Sequence, residues 1–139
     1  MSAPQPFDIP LRVIETASLA RSTELVRTGV PLPRGALADP ALLSLEDADG
    51  NPVPLQSRVL SRWPDDTVQW VLLDAQVAVP SMGTLSLRLK PGRAMDVAHP
   101  LRLSREEAAI TVDTGAAIFR LPLSGERLLE SVVCGGTER

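Results

Sequence analysis

Arg62-Trp63-Pro64-Asp65-Asp66-Thr67-Val68-Gln69-Trp70-Val71-Leu72-Leu73 carries both tryptophans of the chain, a proline–aspartate turn and the start of its longest apolar run. After the turn, residues 68–79 set Trp70, Leu72 and Asp74 on one face of an extended chain and Val71, Leu73 and Ala75 on the other. Apolar side chains on both faces imply a strand buried on both sides, so Trp70 is expected inside. Before the turn, Val53, Leu55, Ser57 and Val59 share one face, and Gln56, Arg58 and Arg62 share the other. The stretch therefore reads as the central corner joining two strands of an all-β domain.

The chain around it supports that class. Asp47-Ala48-Asp49-Gly50-Asn51 is a hairpin turn, because Asp-Gly supplies positive-φ positions between alternating flanks. Pro52 and Pro54 predict an irregular, edge-like start to the following strand. Further back, Ile9, Leu11 and Val13 alternate with Pro10 and Arg12 as a first or edge strand. Residues 23–27 make a second strand, with a helix over 17–26 as the competing reading. Two glycines and two prolines in residues 28–37 predict a structured loop. Asp39 before Pro40 has the form of an N-cap for a short helical turn leading into a strand at 43–46. Beyond the corner, residues 80–83 turn the chain into Leu85, Leu87 and Leu89 alternating with Ser86, Arg88 and Lys90. Thr114-Gly115 marks another hairpin, and residues 128–133 form a last apolar segment before a polar tail. That ending reads as cut within a longer protein. The divisions expected are a leader at 1–8, a β-barrel domain at 9–105, and further strands at 106–139 that begin a following β-sandwich or close the barrel.

Composition narrows function mainly by exclusion. At 139 residues, with 44% hydrophobic and 22% charged side chains, the chain is long enough for one domain with a real core. A net charge of −3 gives no general electrostatic reason to bind nucleic acid or an anionic membrane. One cysteine, Cys134, and one histidine, His99, exclude an internal disulfide, a cysteine-rich zinc site and most histidine-based triads. His99, beside Pro100, reads as a surface residue; Cys134 has no partner in view to activate it, and Gly135-Gly136 lacks the frame of a phosphate loop. No cofactor is expected. The first ten residues lack the apolar region of a secretory signal, and no apolar run approaches a membrane span, so the default location is the cytoplasm.

Several groups invite a chemical reading. Asp65 and Asp66 are adjacent carboxylates suited to acid–base work or a hard cation, although a turn uses the same residues as backbone acceptors. Glu46, Asp47 and Asp49 resemble part of a calcium loop without its later bidentate acid. Arg58 and Arg62 fall on one strand face, where Arg27 or Arg34 can join them to clamp a carboxylate such as a uronic acid; a solvated face is the plainer account. The residues expected to touch a ligand or a neighbouring domain are Arg34, Arg58, Arg62, Trp63 and Asp65.

Two motifs and a hairpin carry a family resemblance. Gly29-Val30-Pro31-Leu32-Pro33-Arg34-Gly35 resembles the G-V-P-L-P-x-G signature near the start of the exo-acting rhamnogalacturonan lyase-like proteins. The family follows it with an Asp-Gly hairpin and P-x-Q, here Asp49-Gly50 through Pro54-Leu55-Gln56, and then with an R-W-P-D-G-S corner, here Arg62 to Thr67. Order and spacing agree over residues 9 to 90, and Val112-Asp113-Thr114-Gly115 resembles the family's next segment. Asp66 departs from the pattern, standing where the family has glycine. The resemblance implies a small closed or partly closed β-barrel related to the RIFT type, followed by a β-sandwich and a catalytic helical toroid absent from this sequence. It implies a non-catalytic structural domain of a carbohydrate-active bacterial protein, with the downstream domains as partners and a polysaccharide lyase as the parent. An acidic-glycan-binding module using an exposed Trp63 on a pectin-derived glycan is the first alternative. A protein-interaction module using the end at 128–133 is another.

Overall fold

A computed structural model describes residues 6–95, 100–135 and 137–138. His99, Gly136 and the first five residues of the expected leader lie outside the described residues. The chain is all-β and falls into two compact units, Met1–Asp96 and Val97–Arg139.

In the first unit, β1 (Ile9–Ile14), β7 (Thr84–Pro91), β3 (Leu43–Asp47) and β4 (Pro52–Val53) form one antiparallel sheet in that order. A second sheet runs β2 (Arg21–Pro31), β6 (Val68–Val79), β5 (Leu55–Arg62). Their inner faces share one core, centred on Val71, Leu73, Leu87 and Leu89, each 3% exposed or less. The two sheets are not joined into a closed ladder, so the barrel is partly closed.

Local chemistry explains the path. The loop after Asp47 closes with the Gly50 amide donating to Asp47 O (3.2 Å), the Asp47 amide to Asn51 O (2.9 Å), and Gly50 at φ +84°. This is a three-residue hairpin loop with its last residue left-handed. Leu45 then faces Val53, but the pairing ends there: Pro54 interrupts the strand, and β5 joins the other sheet. Pro40–Leu42 is a short 3₁₀ turn capped by Asp39, whose carboxylate accepts from the Ala41 amide at 2.9 Å. Residues 21–31 are strand, without the competing helix, and β2 continues through Gly29-Val30-Pro31, where the sequence predicted a loop from residue 28. The glycine and proline there are tolerated because the ladder to β6 runs along one side of β2 only.

Trp70 requires a correction. It is 43% exposed, on the outer face of the β2–β6–β5 sheet, and not inside. The alternation holds from Trp70 to Val79 and keeps Trp70 with Leu72 and Asp74, but only the Val71, Leu73 and Ala75 face is packed into the core. Two irregularities precede that run: Leu60 is extra on β5 between Val59↔Val71 and Ser61↔Trp70, and Gln69 is extra on β6 between Ser61↔Trp70 and Arg62↔Val68. They re-phase the strand so that Val68 and Val71, three residues apart, both point into the core at 0% exposure. The ring instead lies over Gly29, where an added Cβ would stand 3.6 Å from Trp70 Cε3 and 3.8 Å from Leu60 Cδ1.

The second unit is one antiparallel sheet in the order β12 (Thr137–Glu138), β11 (Ser131–Cys134), β10 (Ala117–Pro122), β9 (Ala109–Asp113), β8 (Arg102–Arg105). Gly115 at φ +80° makes the β9–β10 hairpin expected at Thr114-Gly115. Arg102–Arg105, assigned from sequence to the first domain, pairs with β9 through the tight turn in which the Glu106 amide donates to Ala109 O at 2.9 Å. Four residues were too few to announce their partner. Arg120 bridges Glu106 and Glu130, each at 2.9 Å.

Candidate functional site

The corner at Trp63 is a hairpin loop of the same geometry as that after Asp47. The Asp66 amide donates to Trp63 O (2.9 Å), the Trp63 amide donates to Thr67 O (2.8 Å), and Asp66 takes the left-handed position at φ +64°. Pro64 suits the second position of the turn because its φ is preset. Aspartate accepts the left-handed conformation better than most residues, so the loop survives without the glycine. Replacing Asp66 with valine, whose branched Cβ is least tolerant of that φ, is expected to lower unfolding free energy by about 1–2 kcal/mol in urea denaturation.

Residues 32–38 fold against this corner and bond to it at every level. The Leu32 amide donates to Gln69 O at 2.9 Å, and the Val68 amide to Leu37 O at 2.7 Å. Thr67 Oγ1 accepts from the Gly35 amide (3.0 Å) and donates to Asp65 Oδ1 (2.6 Å). Arg34 Nε meets Asp65 Oδ2 at 2.8 Å. Trp63 is half-buried, and its indole N–H is donated to Leu32 O at 3.1 Å. Arg62 donates to the carbonyls of Ala38 (3.0 Å) and Asp66 (2.6 Å).

Four of the five residues singled out from sequence therefore meet in one place, and their polar atoms bond mostly to each other and to nearby backbone. The Thr67 hydroxyl, followed by the Arg34 guanidinium, pulls the Asp65 carboxyl down to about 2. At neutral pH it is a fixed anion and no proton donor, which argues against the acid–base reading of this carboxylate. Asp66 points to solvent, with a long 3.6 Å approach from Arg62 that screening makes weak. Asp47 is also committed: its carboxylate accepts from the amides of Asp49 (2.9 Å) and Asn51 (2.8 Å) and from Asn51 Nδ2 (2.9 Å). Among the described residues, no three histidine, cysteine, aspartate or glutamate side chains are grouped to hold a metal ion.

Arg58 stands apart, four residues back along β5, about 13 Å of strand. Its cross-strand neighbour is Leu72, and Arg27, which the sequence offered as an ally, is held by Asp74 at 2.6 Å. Arg58 has no ion-pair partner among the described residues. It shares the outer sheet face with Trp70 and Leu60, respectively 43% and 48% exposed. The exposed aromatic on that face is thus Trp70, which the sequence reading placed inside by taking both faces of the strand as buried.

Residues 8–89 match the family model described as the PcRGLX-like N-terminal RIFT barrel domain, a range that takes in both bonded motifs and all seven strands of the first unit except the final residues of β7. No curated protein matches the chain.

Proposed function

This chain belongs to the PcRGLX-like N-terminal RIFT barrel domain family, and on that premise we propose that it is a non-catalytic structural domain of a larger polysaccharide lyase-like protein, packing against the domains that follow it. The observation that supports this reading is the division of labour between two surfaces. The corner spends its charges and its Trp63 N–H internally, which makes it a brace. The outer face of β2–β6–β5 leaves Trp70, Leu60 and part of Leu72 in contact with water. An aromatic residue at the centre of an apolar patch is the usual composition of an interface anchor.

The presence of Arg58 on the same face supports a second reading, in which Trp70 stacks on a sugar ring and Arg58 binds its carboxylate. One comparison separates the two. In this chain alone Trp70→Glu is expected to change stability by less than about 1 kcal/mol. In a polypeptide extended beyond Arg139 the same substitution is expected to cost about 2–3 kcal/mol, the size of an interface anchor. Equal effects in both would sink the packing role. Heat on titrating oligogalacturonides onto this chain, lost in Arg58→Ala, would establish the glycan reading in its place.

A further inference from the structure

β1 and β2 follow one another in the chain and are the outer strands of the two sheets of the first unit, each hydrogen-bonded to a neighbour on one side only. They do not pair with each other. Between them lies a cleft of about 300 Å³, walled by Leu11 and Val13 from β1 and by Val26 and Thr28 from β2, with Leu73 and Leu87 in its floor. A second hollow of about 260 Å³ shares Val13 and Val26 and carries the opening on toward Val79.

We propose that this cleft is a slot for an extended peptide segment of about five residues, which enters between β1 and β2 and completes the barrel. The walls argue for a peptide over a small apolar ligand. Each wall is a strand edge with a row of amide and carbonyl groups free to pair, and only another backbone satisfies both rows at once. The floor is apolar, so the guest presents an apolar side chain at every second position and keeps the others in water. Pro10 lacks an N–H, which places the pairing on β1 at residues 11–14. Arg12 lines the cleft without an ion-pair partner among the described residues, whereas Arg27 on the opposite wall is already neutralised by Asp74. An acidic side chain on the guest's outward face complements Arg12. The slot lies on the edge of β2 away from β6, so it stands or falls separately from the packing face at Trp70.

The test uses the whole chain and an acetylated, amidated heptapeptide, Thr-Val-Glu-Val-Glu-Val-Thr. Binding is expected, with slowed hydrogen exchange at amides of residues 11–14 and 22–28. Methylating the backbone nitrogens of the two glutamates is expected to weaken it at least about tenfold by removing ladder donors. Replacing both glutamates with lysine weakens it about threefold. Thr28→Trp, which fills the mouth from an exposed position, abolishes it, and Trp70→Glu leaves it unchanged. The proposal is overturned by no binding at about 1 mM peptide, by equal binding of the methylated peptide, or by protection elsewhere. It is also overturned if the edge amides are already protected in a self-associated form, which makes a second copy the occupant.

Discussion

Replacing Glu15 with alanine is expected to lower the melting temperature by about 10 °C, measured by circular dichroism at neutral pH. Glu15 is 6% exposed and sits where β1 ends and the link to β2 begins. Its carboxylate accepts from the amides of Ala17 (2.7 Å) and Leu19 (3.1 Å) in that link, and from Met82 (2.9 Å) in the turn between β6 and β7. Its own amide donates to Gly83 O at 2.9 Å, so two distant connections are fastened through one residue. Alanine leaves three backbone donors without a protein partner. Glutamine keeps the length but offers one carbonyl oxygen for three donors, and is expected to recover less than half of the loss. A melting temperature within about 2 °C of the parent would show that water replaces the carboxylate.

The same bonds give the pH dependence its sign. The Met82 amide, ahead of those of Ala17 and Leu19, holds the Glu15 carboxyl below the usual glutamate value, and burial only partly opposes them. A carboxyl with a folded pKa below its unfolded one stabilises above the unfolded value, about 4.3, and loses that contribution as pH falls through the folded value. Asp65 acts in the same direction, its contribution fading toward about pH 2. Melting temperature is therefore expected to fall on acidification below about pH 4.5, less steeply in Glu15→Gln than in the parent.

The second large effect is expected from Gly83→Ala, at a loss of about 2–3 kcal/mol in urea denaturation. The added Cβ would collide with Pro80 Cγ and lie 2.9 Å from Pro80 O. Neither can give way easily, because the ring is rigid and the carbonyl accepts from the Gly83 amide at 2.9 Å to close the turn. Gly50→Ala is the control for a different cause: φ is +84° there, but nothing lies within 4 Å of the added atom. It is expected to cost about 1 kcal/mol from backbone strain alone. If contact with the ring is the cause, a Pro80→Ala background removes most of the Gly83→Ala penalty; an unchanged penalty there would refute it.

These residues show what the chain discloses locally. Turns were legible because their chemistry is contained within four or five positions: Asp39 with Pro40, Asp49-Gly50, Thr114-Gly115, and Pro64 with Asp66. The sequence singled out Arg34, Arg58, Arg62, Trp63 and Asp65 as contact residues; that four of them meet and satisfy each other while Arg58 stands apart was not legible, since it depends on how residues 32–38 fold over the corner. The face of Trp70 was illegible for a definite reason. Alternation groups Trp70 with Leu72 and Asp74, as the structure has it, but with apolar residues on both faces it does not say that only the Val71, Leu73 and Ala75 face is covered. Arg58 and Arg62 are similarly separated in role by what surrounds each. Glu15 went unnoticed because its partners are main-chain amides, one of them 67 residues away. An acid at the end of an alternating apolar segment was the only signal available.

The bonding between residues 32–38 and the Trp63 corner has a consequence for recombination. Thr67 and Asp65 hold Gly35 and Arg34, and Trp63 and Val68 hold the carbonyls of Leu32 and Leu37. Although some thirty residues apart in the gene product, the two segments are a single unit of exchange. A chimera cut between β2 and β5 would inherit half of a lock, and a breakpoint that respects the fold must carry both halves from one parent.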